Sequence, residues 1–199
     1  PWSDSLLEKY ADLWDWEALA SNSGLPWSLE LLEKYADKWS WQSLSTNERL
    51  PWEQVFEKYP KEIDLWFASG NPGFPWTANF LEQNKDEINF DIISGVKGLP
   101  WTDDLLDKFA DDWNWGADGI SANEGMPWSN DFIAKYADKL DFMDDFGLAG
   151  NVSVNWNLEL LTAYKSQWNW SRLSLNRTLW DKVFEPIVED IDPAQFFNQ

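Results

Sequence analysis

The tripeptide Leu-Pro-Trp and its close variants recur along the chain at nearly constant intervals. A proline precedes the tryptophan in six copies, and two degenerate copies, Asn155-Trp156 and Leu179-Trp180, continue the series. The tryptophans of this series are Trp2, Trp27, Trp52, Trp76, Trp101, Trp128, Trp156 and Trp180. They are 25, 25, 24, 25, 27, 28 and 24 residues apart, which gives about seven complete units. A fixed period of this size predicts a tandem array of one small supersecondary unit.

The first part of each unit predicts a short helix. A hydroxyl residue follows the Pro-Trp step, where it can cap the free N–H groups of a helix start. These residues are Ser3, Ser28, Thr77, Thr102 and Ser129. An apolar pair and one more apolar residue, as in Leu31, Leu32 and Tyr35, then mark one buried face. We expect a helix of about ten residues that begins at the proline and carries i,i+4 ion pairs such as Glu30 with Lys34.

The second part has the consensus W-x-W-x-x-L-S-x-N and admits two interpretations. The small residue after Leu suits a tight helix crossing, and Asn suits a helix end because it tolerates a left-handed backbone. The Asn positions are Asn22, Asn47, Asn71, Asn123, Asn151 and Asn176, with Val96 in the remaining unit. We therefore predict an all-α, right-handed α-solenoid of about seven ~25-residue helical hairpins over residues 1–180. The alternative is a leucine-rich-repeat-like α/β solenoid, in which the segment is a strand and Asn side chains form a ladder between coils.

The consensus, above all its W-x-W-x-x-L-S-x-N block, resembles the tandem Trp-rich repeats of uncharacterised bacterial and giant-virus proteins. The resemblance covers nearly the whole chain, implies the repeat array and implies no chemistry. Residues 181–199 follow Trp180 as a repeat would, until Pro186 interrupts the unit, so we expect a C-terminal cap or a junction to further sequence. Because the chain begins at Pro1 inside a motif, we expect a fragment or a processed piece.

The charge of the chain restricts its partners. Lys and Arg number 15 against 35 Asp and Glu, a formal net charge of −20. Direct binding to nucleic acid or to an anionic membrane surface is therefore not expected, whereas a basic protein or peptide is attracted. The chain has no Cys, and we identify neither a signal peptide nor an apolar run of about 18 residues, so a cytoplasmic location is expected.

The sequence offers no motif for catalysis. It has no His, no phosphate-binding Gly loop and no nucleophile motif, so we expect no enzyme, no cofactor and no small-molecule substrate. Asp112, Asn114 and Asp118 alternate as in a calcium loop, but the bidentate Glu at the twelfth position is missing, so no metal site is expected.

These observations favour a protein–protein interaction scaffold that binds a basic segment on its concave face. The repeated tryptophans keep their register and are replaced by Ile, Leu or Phe in some units, which is typical of core positions. Binding is then expected from variable residues of the second segment. They are Glu17, Gln42, Trp66, Asp91, Asp118, Asp145 and Arg172. Two alternatives are an acidic DNA mimic that inhibits a DNA-binding protein and a carbohydrate-binding protein with exposed Trp rings.

Overall fold

Alternating cap residues and apolar residues divide the chain into short helices. The computed structural model describes residues 2–186, so the larger part of the predicted cap or junction, residues 187–199, lies outside the described residues. In chain order the helices are α1 (Asp4–Lys9), α2 (Trp16–Ala20), α3 (Leu29–Lys34), α4 (Trp41–Ser45), α5 (Trp52–Lys58), α6 (Leu65–Ala68), α7 (Ala78–Gln83), α8 (Phe90–Ile93), α9 (Asp103–Lys108), α10 (Asn130–Lys135), α11 (Leu158–Ala163), α12 (Trp170–Leu173) and α13 (Arg177–Leu179). Helix α13 continues into a π-helical turn, Trp180–Phe184.

The described residues contain helices and no strand, so the all-α prediction is confirmed and the strand interpretation is wrong for residues 2–186. Helices that follow a repeated tryptophan or begin at it are called first helices below. They are α1, α3, α5, α7, α9, α10 and α11. The helices of the W-x-W-x-x-L-S-x-N segment are called second helices, and they are α2, α4, α6, α8 and α12.

By internal packing the chain forms two compact units, Pro1–Pro100 and Trp101–Gln199, here called the N-unit and the C-unit. Helices α1 to α8 belong to the N-unit, where α2 packs on α4 and α4 packs on α6. The C-unit holds α9 to α13.

The predicted caps of the first helices are confirmed. For example, the Ser28 hydroxyl accepts the Leu31 N–H at 3.2 Å, and Ser3, Thr77, Thr102 and Ser129 cap in the same way. Two further expectations are wrong. The first helices have six or seven residues rather than about ten, because the chain already turns after the Tyr position. Proline does not begin them either, except that Pro51 is the N-cap of α5.

The second segment is not helical in every unit. The units that begin at Trp101 and Trp128 are 27 and 28 residues long and so contain insertions of about two and three residues. In these two units a 3-10 turn replaces the helix, at Ile120–Ala122 and at Leu148–Gly150. Each inserted loop is closed by a backbone hydrogen bond of 2.8 Å, from Ile120 N–H to the Asn114 carbonyl and from Leu148 N–H to the Asp141 carbonyl. At Gly119 any side chain would overlap the Asn114 carbonyl, which explains the glycine. The insertions thus form loops, while Ile120 and Leu148 stay fully buried.

The repeated tryptophans pack the core, as their register predicted. Among the described residues only Trp66, Trp170 and Trp180 are exposed Trp side chains. The Trp after proline packs inside its own repeat, as Trp27 does against Trp39 at 5.2 Å between ring centroids. The second Trp of W-x-W instead contacts the next repeat, as Trp16 does with Tyr35 at 4.7 Å. The Trp after proline also bonds to the preceding repeat, because Trp27 Nε1 donates to the Asn22 carbonyl at 2.9 Å.

Candidate binding surface

The repeated Asn side chains connect neighbouring repeats by hydrogen bonds. Asn47 Nδ2 donates to the Ala20 carbonyl at 2.7 Å, and Asn71 Nδ2 donates to the Ser45 carbonyl at 2.9 Å. In the C-unit, Asn151 donates to the Ser121 carbonyl at 3.1 Å. Both ends of the amide are used, because Asn71 Oδ1 also accepts the Gly73 N–H at 2.9 Å. A buried amide that is satisfied on both sides fixes the spacing of successive repeats.

This arrangement corrects the role that the sequence predicted for Asn. Among residues 2–186 no residue has a positive φ, so Asn does not supply a left-handed helix end. Asn123 and Asn151 have extended backbones, with φ of −71° and −74°. The hydrogen-bond ladder proposed for the α/β alternative thus exists, but it joins short helices and turns rather than strands.

The Ser residues after the Leu position form a second connection. Ser69 Oγ donates to the Leu65 carbonyl at 2.7 Å and accepts the Asn89 N–H of the next repeat at 2.9 Å. Where Ala149 stands in place of Ser, the Asn169 N–H bonds directly to the Phe142 carbonyl at 3.1 Å. The buried polar side chains of the described residues are all Ser or Asn from these two repeated positions. These buried polar contacts therefore hold successive second helices in register.

Six of the seven predicted binding residues of the second segment are exposed. The exposed residues are Glu17, Gln42, Trp66, Asp91, Asp118 and Asp145. Arg172 is half-buried. Its Nε would lie 3.0 Å from a Cβ at Gly150, and this Nε atom has no hydrogen-bond partner within residues 2–186. Glu17, Gln42, Trp66 and Asp91 lie in the N-unit, and the other three lie in the C-unit. We call the four in the N-unit, Glu17, Gln42, Trp66 and Asp91, the exposed row.

Sequence reasoning missed two exposed apolar residues, Phe67 on α6 and Ile92 on α8. The side chain of Trp66 is 57% exposed, that of Phe67 43% and that of Ile92 47%. Helix α8 lies beside α6, and Ile92 Cγ2 would be 3.2 Å from a Cβ at Gly70. We call Trp66, Phe67 and Ile92 the apolar patch. An alignment of the repeats could have revealed them, because the position of Phe67 and Ile92 is occupied by Ala18 and Ser43 in the first two repeats.

The second inserted loop, residues 141–147, carries two further exposed apolar side chains. Met143 and Phe146 stand next to Asp144 and Asp145 in this loop, and they are 63% and 71% exposed. Asn169 Nδ2 anchors the loop by donating to the Met143 carbonyl at 2.8 Å and to Asp145 Oδ1 at 3.0 Å. The sequence pattern placed Asp145 here but did not single out Met143 or Phe146.

An apolar hollow of about 310 Å³ lies beside α12. It is lined by Trp170, Leu173, Ser174, Leu179, Trp180 and Phe184. Earlier counterparts of Trp170, such as Trp41, pack their ring on the Tyr of the following repeat, here Tyr59 at 4.9 Å. In the sequence this Tyr position falls at Ile187, which lies outside the described residues.

Charged side chains stay on the surface and pair between repeats. Lys34 Nζ contacts Glu8 Oε2 at 3.2 Å instead of forming the predicted i,i+4 pair with Glu30. Lys135 contacts Asp103 and Asp107 at 3.0 and 2.9 Å. Hydrogen bonds with Tyr136, Asp107 and Asp103 raise the pKa of Lys135, and the bond from Lys135 lowers the pKa of Asp107. Such exposed pairs contribute little to stability.

The described residues show no arrangement suited to a metal. No group of three or more Asp or Glu side chains within 2–186 is placed to hold an ion. In this same part of the chain, no helix has the length and apolar character needed to cross a membrane.

Comparisons with protein-family models, curated proteins and solved structures found no match to this chain.

Proposed function

We propose that the chain is a scaffold that binds a protein or peptide segment, and that it acts by binding rather than catalysis. In this proposal about seven ~25-residue hairpins, of the kind that the Trp-rich repeat consensus resembles, stack as a right-handed α-solenoid. One observation carries the proposal. The exposed row holds Glu, Gln, Trp and Asp in successive repeats, whereas the aligned positions that follow it in each repeat keep to Leu, Ala or Ile, then Ser or Ala, then Asn or Val. A constant frame with a variable exposed row is typical of repeat proteins that recognise extended partners.

The charge supports a basic partner. In the N-unit the four second helices contain no Lys or Arg, and Glu17 and Asp91 are exposed on them. Complementary charge increases the association rate and selects against acidic partners. Catalysis lacks comparable support, since no Asp, Glu, Lys or Arg within residues 2–186 is buried.

A binding assay with charge reversal tests the proposal. Proteins captured from a lysate by the immobilised chain are identified at low and high salt, and then with the double variant Glu17→Lys, Asp91→Lys. The matched control is Asp37→Lys, Glu57→Lys, which changes the charge equally at exposed positions outside the second helices. We expect one partner to survive high salt and to be lost with the first variant alone. Loss of every partner at moderate salt would favour charge mimicry of DNA instead.

A further inference from the structure

The apolar patch is not required by the fold. The equivalent positions hold Glu17 and Ala18 in the first repeat and Gln42 and Ser43 in the second, and these repeats form the same pair of helices. By contrast, Ala68 and Ser69 at the end of α6, and Ile93 and Ser94 at the end of α8, are fully buried. Exposing three large apolar side chains on two adjacent helices therefore has a cause outside the packing of the array.

Two features of the patch are typical of a binding anchor. Trp is the residue most enriched among those that dominate binding energy, and Trp66 is exposed on α6, which its Asp64 cap and the buried Leu65 and Ala68 hold in place. The Asn89 N–H bond to Ser69 Oγ fixes α8 beside α6, so the frame beneath Trp66, Phe67 and Ile92 is preorganised.

The surroundings of the patch define the chemistry of its occupant. Asp91 precedes Ile92 and is exposed, and Asp64 caps α6 directly before the patch. No cation is present on the second helices of the N-unit. A second copy of the chain brings a net charge of −20 to this surface and is disfavoured. A segment with a large apolar side chain between Lys or Arg residues satisfies both the apolar and the acidic parts.

We propose that the apolar patch is the anchoring site for a basic peptide segment, with one large apolar side chain seated against Trp66, Phe67 and Ile92 and flanking Lys or Arg residues facing Asp64 and Asp91. This inference rests on the proposed scaffold function and adds the place and the chemistry of its main contact.

Selection from a phage-displayed library of random peptides on the intact chain tests this inference. Selected peptides are then synthesised, and their affinities are measured for the parent chain, Trp66→Ser, Ile92→Ser and the control Leu13→Ser. Leu13 is 81% exposed in the same unit but lies in the loop between α1 and α2, in a different repeat from the apolar patch. Circular dichroism checks that each variant keeps the helical fold.

We expect the selected peptides to share an apolar residue flanked by Lys or Arg. Their affinity should fall by at least about tenfold with Trp66→Ser and Ile92→Ser, and remain unchanged with Leu13→Ser. Peptides that bind all variants equally would overturn the anchoring inference and leave the scaffold function standing. A dimer that Trp66→Ser dissolves would assign the patch to a second copy. Selection of no peptide, with no dimer, would count against both the anchor and the scaffold.

Discussion

At the scale of single residues, the buried Asn ladder is the most sensitive feature. Asn71 is 1% exposed, and its amide both donates to the Ser45 carbonyl and accepts from the Gly73 N–H. An Asp at this position keeps the shape and the acceptor, but at neutral pH it loses the donor and buries a charge. Unpaired buried groups of this kind cost about 1–3 kcal/mol or more.

We therefore predict that Asn71→Asp lowers the free energy of unfolding by at least about 2 kcal/mol at pH 7. Burial raises the pKa of the new carboxyl above its unfolded value, so the loss should grow as pH rises from about 4 to 7. A protonated Asp can again donate to Ser45. Urea unfolding at several pH values measures this, with Asn71→Leu as the variant that cannot titrate. Equal losses at all pH values for both variants would contradict the role of the donor.

Two neighbouring tryptophans offer a second residue-scale prediction. Trp156 and Trp168 are both 3% exposed, and their rings are 5.3 Å apart. Trp156 Nε1 donates to the Asn151 carbonyl at 3.2 Å, whereas Trp168 Nε1 has no partner within residues 2–186. Both Trp→Phe variants lose ring volume, but only Trp156→Phe breaks a hydrogen bond. We expect Trp156→Phe to cost about 1 kcal/mol more in urea unfolding; a greater cost at Trp168 would contradict this reasoning.

At the scale of the helix, the start of α5 shows what the hydroxyl cap does. Glu53 stands where the repeats of the other first helices have Ser, Thr or, in α11, Asn157, and α5 begins at Trp52 with no side-chain cap. Trp52 Nε1 is buried without a partner within the described residues, while Trp27 Nε1 in the capped repeat donates to the Asn22 carbonyl at 2.9 Å. The missing cap thus accompanies a shifted helix start and a lost indole bond.

We predict that Glu53→Ser stabilises the chain by about 0.5–1 kcal/mol, because it supplies the cap of the other first helices. The reverse change, Ser28→Ala, should destabilise by about 1 kcal/mol. Thermal unfolding followed by circular dichroism compares the three proteins. A Glu53→Ser variant less stable than the parent would show that the present start of α5 is already the better one.

Helix positions and core columns were predictable because they depend on local signals, while the contacts between repeats were not. Ser28 caps α3 through a residue three positions away, and a single repeat reveals that relation. Asn47 bonds to Ala20, 27 positions earlier, and such a partner is only defined once the repeats pack. The candidate site divides in the same way. Trp66 was identified as a variable residue, but Ile92 comes close to Gly70 at the end of α6 only when the two repeats pack.

At the scale of the whole molecule, charge repulsion opposes folding. The net charge is −20, and the ion pairs that join repeats, such as Lys34 with Glu8, are exposed. Salt screens both effects, and repulsion is the larger of the two because 35 Asp and Glu outnumber 15 Lys and Arg. We predict that the melting temperature rises as NaCl increases from about 20 mM to about 300 mM. The variant Asp37→Lys, Glu57→Lys carries a smaller negative charge and should show a smaller rise. A melting temperature that fell with added salt would show that the surface ion pairs stabilise the chain by more than the repulsion between like charges destabilises it, contrary to this prediction.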